Sequence, residues 1–371
     1  MDPGMNTIVI DMGSANVKAG IACESDPISV FPSIIGRPRH NNLLHLNGAD
    51  RQDSYIGNEA QSRREMLSIS HPIRNRKVTN WDDLITLLDY TFKNKLHLSP
   101  EVYKIVSTET FSTSKTDREK MTEIMFERFN VPAYYVAKQA TLSLFASCRT
   151  TGLVIESGEG GTDIVSIYEG YAIPRTQLSL ELGGEKLTDY FGTLLAERGY
   201  SFSTTIVQNI KEQLCYVAPN LEEGMNTAPG RESTYTLPDG QMISVGNQKR
   251  RCPEALFRPS LMNMETPGLH RKCYESIVKC DLDIRSHICS NIILSGGSTL
   301  FPGLGDRIKN EFCKLVPSST AIHVFTPPEG IHPVWIGGSI LASLVTFQQC
   351  FILKREYEES GSSIVHTKCI H

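Results

Sequence analysis

Short apolar runs that end in an acid and a glycine-rich turn recur along this chain. Thr7-Ile8-Val9-Ile10 is closed by Asp11, turns through Met12-Gly13-Ser14-Ala15-Asn16, and leaves as Val17-Lys18-Ala19-Gly20-Ile21. Leu153-Val154-Ile155 is closed by Glu156, turns through Ser157-Gly158-Glu159-Gly160-Gly161, and leaves as Thr162 to Tyr168. Each unit predicts strand, tight turn, strand, and the repetition predicts an internal duplication. A third run, Asn291-Ile292-Ile293-Leu294, enters Ser295-Gly296-Gly297-Ser298 before a helical stretch from Leu304 to Phe312.

Between these runs the apolar positions take helical spacing. Trp81, Leu84, Ile85 and Leu88 form one stripe, opened by Thr79 with Asp82 as an acidic capping box. Met121, Ile124 and Met125 form another, with Asp117 as its cap and Pro132 as its breaker. Helices are also expected over Lys138–Ser147, over Glu185–Glu197 with Leu187, Tyr190 and Leu194 inward, and over Trp335–Gln349. Strands alternating with helices make this an α/β chain.

The turns carry the candidate chemistry. Glycines let a backbone approach a ligand closely, and the N–H groups of such a turn suit phosphate oxygens. An ordinary hairpin is the competing reading of either turn alone. Two of them could clamp a polyphosphate, with Asp11 and Glu156 on one Mg2+, which needs only one or two carboxylates. Ser14 and Lys18 would add a hydroxyl and a point charge, and the Gly296-Gly297 turn a third backbone contact.

Composition narrows the class. The chain has 371 residues, 40% hydrophobic and 21% charged, which predicts two soluble domains. A net charge of −4 gives no basic surface for nucleic acid. No apolar run approaches a membrane span, and the polar start Met1–Asn6 is unlike a signal peptide. Ten scattered cysteines without a CxxC pair predict free thiols in a cytosolic or nuclear setting.

Longer strings then carry a resemblance. Val30–His40 (VFPSIIGRPRH), Thr79–Asp83 (TNWDD), Arg118–Ala133 (REKMTEIMFERFNVPA), Leu237–Gln241 (LPDGQ) and Trp335–Gln349 (WIGGSILASLVTFQQ) are similar to actin. The resemblance runs from Ile8 to Cys369 and is that of a diverged member. It implies a two-lobed actin-like ATPase fold, with duplicated ribonuclease-H-like domains around a nucleotide cleft. The first lobe would be residues 1–138 and 333–371 with an insertion at 33–71. The second would be 139–332 with an insertion at 183–264. The helices beginning near Gln139 and Trp335 would form the hinge.

The same resemblance assigns roles. ATP and Mg2+ would be held by Asp11, Gly13, Ser14, Ala15, Lys18, Glu156, Gly158, Glu159, Gly160, Gly184, Gly296 and Gly297. Lys211 and Glu212 would contact adenine and ribose, and Gln139 would place the attacking water. The 40–53 loop and the apolar tip Leu261-Met262-Asn263-Met264 would join subunits into filaments. Actin-binding proteins would dock near Tyr168 and Phe347.

Departures cluster at the chemistry. Glu156 and Glu159 stand where actin has aspartates, Asp163 where it has the histidine beside the hydrolytic water. Ala15 replaces a glycine, Ile331 a lysine on adenine, and Asn75 a modifiable histidine. One added methylene shifts a carboxylate by about 1.5 Å, and displacements of ~1 Å cost roughly 100-fold in rate. Binding is therefore expected to survive better than hydrolysis. The expected function is an ATP-binding cytoskeletal protein that polymerises, with slow or impaired hydrolysis. The alternative is a non-polymerising subunit of a chromatin-remodelling or filament-capping complex. A sugar or acetate kinase lacks an acceptor-pocket acid here, and a chaperone ATPase would need a further domain beyond His371.

Overall fold

The computed structural model describes residues 6–39, 53–220, 232–326 and 332–369. From the start, β1 (Thr7–Met12), β2 (Asn16–Ile21), β3 (Ser29–Pro32) and β4 (Ile35–Pro38) are followed by β5 (Tyr55–Ile56) and α1 (Asn58–Ser62). Next come β6 (Leu67–Ser70), β7 (Ile73–Arg74), β8 (Lys77–Val78), α2 (Trp81–Tyr90) and β9 (Lys104–Glu109). The helix α3 (Lys115–Glu123), the strand β10 (Ala133–Lys138) and the helix α4 (Gln139–Ala146) follow. The hairpin β11 (Gly152–Ser157) and β12 (Thr162–Tyr168) precedes β13 (Tyr171–Ala172), β14 (Leu178–Leu180), α5 (Gly184–Ala196) and α6 (Thr204–Leu214). Then β15 (Ser233–Thr236), β16 (Met242–Val245), α7 (Gln248–Glu254), α8 (Leu269–Val278) and α9 (Arg285–Cys289) lead to β17 (Ile292–Ser295). Finally come α10 (Leu304–Cys313), β18 (Val324–Phe325), α11 (Pro333–Ser343), β19 (Ile352–Leu353), α12 (Lys354–Ser360) and α13 (Val365–Lys368).

Residues 1–148 with 332–371 form one compact unit, and 149–331 form a second. Helix α4, which the sequence reading began the second lobe with, packs in the first unit. In the first unit the sheet order is β19-β10-β9-β1-β2-β3, with β1 antiparallel to β2 and parallel to β9. In the second it is β13-β12-β11-β17-β18, with β11 antiparallel to β12 and parallel to β17. The same local topology therefore surrounds both hairpins. Their central strands are buried on both faces, which is why they read as continuous apolar runs.

Within the first unit α11 lies backbone-close on α4. A Cβ at Gly337 would fall 1.9 Å from the Leu142 carbonyl oxygen, so no side chain fits there. Trp335 is fully buried, and its indole N–H donates to the Val9 carbonyl at 3.0 Å. Among residues 33–71, β4, β5 and β6 make a small sheet with its own apolar cluster of Ile34, Tyr55, Ala60 and Leu67.

Several local readings need correction. Asn80, not Thr79, caps α2 by accepting from the Asp83 N–H at 3.1 Å. Thr79 instead donates its hydroxyl to the His71 and Pro72 carbonyls. Ser114, not Asp117, caps α3, and Asp117 is the residue whose N–H it satisfies. The last long helix stops at Ser343, because Leu344 is extended, and a 3-10 stretch Val345–Cys350 follows. Tyr190 is only half-buried, and Phe191 fills that place in the core of α5.

Candidate functional site: two glycine turns

The first turn is built around Asp11. Antiparallel pairing sets Lys18 opposite it, and the Lys18 Nζ lies 2.7 Å from Asp11 Oδ2. The other oxygen, Oδ1, accepts from Thr108 Oγ1 at 2.7 Å and from Gln139 Nε2 at 3.0 Å. Thr108 comes from the end of β9 and Gln139 from the first residue of α4. Burial pushes the Asp11 carboxyl up, but the charge and hydrogen bond of Lys18, with Thr108 and Gln139, outweigh it and hold it below the ordinary carboxylate range. Asp11 is therefore ionised, and Gln139 is directed onto it.

The turn itself is pinned from behind. Gly13 N–H donates to the Asn16 carbonyl at 3.0 Å. Ser33, fully buried, gives its hydroxyl to the Gly13 carbonyl and its N–H to the Ala15 carbonyl. Ser14 Oγ accepts from the Arg76 N–H at 3.2 Å. Asn75 and Arg76 both have positive φ, which is what a two-residue hairpin loop between β7 and β8 requires. A recess beside the turn is lined by Gly13, Ser14, Ile73, Arg76, Thr108 and Gln139.

The second turn is seated on a helix start. Gly184 N–H donates to the Gly158 carbonyl at 2.9 Å and Glu185 N–H to the Glu159 carbonyl at 3.0 Å. Ser298 adds its hydroxyl to the Gly158 carbonyl at 3.1 Å. A Cβ at Gly183 would stand 2.3 Å from the Gly161 nitrogen, and one at Gly184 would stand 2.2 Å from Glu159 Oε2. The glycine pair is what lets turn and carboxylate approach. Burial raises the pKa of Glu159, with the Lys211 charge opposing the rise.

Lys211 itself is buried, and its ammonium donates to the Gly184 carbonyl at 3.0 Å and Thr188 Oγ1 at 2.8 Å. Glu212 is exposed and accepts from Gln208 Nε2 at 2.9 Å. Glu156 pairs across the hairpin with Asp163, whose carboxylate accepts from Ser179 Oγ at 2.6 Å. Gly296 has a φ of 86°, and a Cβ there would lie 2.4 Å from the Ser157 carbonyl oxygen. This close approach ties the third turn to the second. By contrast a Cβ at Gly158 or Gly297 would meet nothing within 4 Å, so those backbones border open space. Gly160 lies within the same turn, between Ser157 and Thr162.

Among the described residues no group of three or more His, Cys, Asp or Glu could hold a metal ion. A hydrated Mg2+ asks for less. Asp11 Oδ1 already takes two donors and Oδ2 takes one, which leaves Oδ2 a lone pair for a metal-bound water. An ionised acid beside a glycine turn thus fits such an ion through its waters.

The family model for actin matches residues 3–205 and 197–370. The chain belongs to the actin family. Its two mixed sheets, each built around one hairpin, accord with the duplicated actin fold. Of the other positions singled out in the sequence, the 40–53 loop (as far as residue 52) and Ile331 lie outside the described residues. At the Leu261–Met264 tip, Met262 and Met264 pack against the second unit's own core, around a left-handed Asn263. Phe347 is buried between Tyr135 and Phe351 in the first unit, and Tyr168 is half-buried at the end of β12. Among the described residues no helix is long and apolar enough to cross a membrane.

Ser33, Thr108 and Ser298 were not foreseen. Each supports a turn from a distant stretch of chain, and no local pattern marks such a hydroxyl.

Proposed function

We propose that the chain binds Mg-ATP through its two hairpin turns and assembles into actin-like filaments, with hydrolysis slowed by its altered acids. The observation that carries the binding is the repeated geometry. Both hairpins set an acid at the strand end directly opposite the residue seven positions on, Asp11 with Lys18 and Glu156 with Asp163. Gly158 and Gly297 leave backbone open to a ligand in the second unit, and Lys18 supplies a cation in the first. Mg-ATP at 100 times its Kd stabilises a protein by about 2.7 kcal/mol. A clear rise in Tm with millimolar Mg-ATP supports the reading, and an unchanged Tm rejects it.

Assembly rests on family membership. Sedimentation in Mg2+, K+ and ATP tests it, with a concentration-dependent pellet as the expected result. One observation favours a second reading, a capping or complex subunit that binds ATP without polymerising. Met262 and Met264 are engaged with their own core, leaving half-buried Leu261 as the apolar residue of that tip not packed there. A protein that binds Mg-ATP and stays in the supernatant at every concentration belongs to that second class.

A further inference from the structure

Thr108 and Gln139 meet at one oxygen of Asp11, and their chemistry leaves a single arrangement of protons. The Lys18 ammonium lies 2.7 Å from Asp11 Oδ2, so the carboxylate is charged and both of its oxygens only accept. Thr108 Oγ1 stands 2.7 Å from Oδ1, and its one proton must point there. With that proton committed, the hydroxyl has only lone pairs to show Gln139, whose amide nitrogen is 3.3 Å away. The same nitrogen lies 3.0 Å from Oδ1.

A glutamine amide has two ends of the same shape, and only its partners decide which way round it sits. Turned over, Oε1 would face the carboxylate and the lone pairs of Thr108, three acceptors with no proton among them. The NH2 end therefore faces Asp11, and Oε1 is turned away from it. Thr108 is well placed to enforce this. It is buried on β9, a strand paired on one side with β1 and on the other with β10. Its branched side chain is stiff about χ1. The neighbouring Ser107 hydroxyl is bonded to Tyr134 instead, at 2.6 Å. Thr108 and half-buried Gln139 both line the recess beside the first glycine turn.

We propose that Thr108 is a positioning residue for ATP hydrolysis: it locks the Gln139 amide with NH2 toward Asp11, leaving Oε1 as the group that orients water. The inference rests on the Mg-ATP reading above. An amide oxygen accepts a hydrogen bond from water but does not take its proton, so its contribution is orientation. The water gives one O–H to Oε1 and keeps its lone pairs for the reaction. An amide turned over would donate to that water and occupy a lone pair. Asp11 and Thr108 together exclude this, because they offer one NH2 group two acceptors and no donor.

The test is NMR of the side-chain amides in the full chain, nucleotide-free and carrying isotope-labelled glutamine. Gln139→Glu identifies the signal. The Gln139 Nε2 protons should exchange slowly in the wild type and about five- to tenfold faster in Thr108→Val, as loss of one hydrogen bond implies. Thr108→Ser, which returns the hydroxyl, should restore slow exchange. Phosphate release from the Mg-ATP-loaded chain should fall by a similar factor in Thr108→Val and recover in Thr108→Ser. The Tm of Thr108→Val should still rise with Mg-ATP. A merely structural threonine would lower Tm and leave the Gln139 amide unchanged, which overturns the proposal. A loosened amide with an unchanged rate overturns it too, as does a wild type that binds Mg-ATP and releases no phosphate. A wild type whose Tm ignores Mg-ATP rejects the earlier reading instead.

Discussion

Glu156 and Asp163 face each other across the second hairpin, at the register that Asp11 and Lys18 hold in the first. One pair is an acid with a base, joined at 2.7 Å, and the other is two acids. Side chains directly opposite on antiparallel strands share a face, and like charges there repel. The duplication thus preserved the backbone of the turn and inverted the charge of the partner.

That inversion gives the first prediction. A second carboxylate near a transferring phosphoryl group adds negative charge where negative charge must be stabilised. Asp163→His should speed phosphate release from Mg-ATP-loaded protein, by up to about tenfold or ~1.4 kcal/mol of barrier. A stopped-flow phosphate sensor reads this directly. A slower rate would instead make Asp163 the general base, with the opposite sign of effect.

Asp11 gives a pH dependence. Its pKa in the folded chain lies below its unfolded value, despite burial, through Lys18, Thr108 and Gln139. Its contribution is therefore present above the ordinary aspartate range and is lost as pH falls below about 4. Asp11→Asn should cost roughly 2 kcal/mol at neutral pH, since it leaves Lys18 without its charged acceptor. The variant's Tm should also fall less steeply on acidification than the wild type's. Parallel Tm curves down to the acid limit would show that Asp11 does not make this contribution.

Gly183→Ala should dismantle the second turn. The added methyl would sit 2.3 Å from the Gly161 nitrogen and 2.6 Å from the Glu159 carbonyl oxygen, both backbone atoms that cannot step aside cheaply. Strain of this kind costs about 1–3 kcal/mol. The expected result is a folded protein whose Tm no longer rises with Mg-ATP. A wild-type nucleotide response would separate the turn from binding.

Arg307 and Glu254 are a fully buried ion pair. Arg307→Met strands the Glu254 charge and should cost about 3–5 kcal/mol. Replacing both, with Glu254→Leu in the same chain, removes the stranded charge and should recover more than half of that loss. Chemical denaturation of the three variants checks it, and a double variant no better than the single rejects the account.

What could be read in advance divides along physical lines. The paired hairpins were legible because buried central strands write their burial into consecutive apolar residues, as in Leu153–Ile155, and because turns advertise glycine. The equal spacing of Asp11 to Lys18 and Glu156 to Asp163 stood in plain view, although its cross-strand meaning needed the register. Caps were less legible. Thr79 and Asn80 are both good capping residues, and only the path of the chain decides which one reaches the Asp83 N–H. The seating of Glu159 against Gly184, and of Lys211 on the Gly184 carbonyl, depends on contacts between elements far apart in sequence. No periodicity records such contacts.

The split of the first unit into 1–148 and 332–371 has a consequence for biosynthesis. When residues 1–148 have left the ribosome, the Val9 carbonyl still lacks the Trp335 indole, and the edge of β10 still lacks β19. The whole of the second unit is translated before either arrives. That unit is contiguous and can close its own core while the first waits with an open sheet edge and an uncovered apolar face. An unpaired strand edge and an uncovered apolar face are where wrong pairing and aggregation start. The backbone-close seat of Gly337 on Leu142 therefore marks the point at which this early segment is covered.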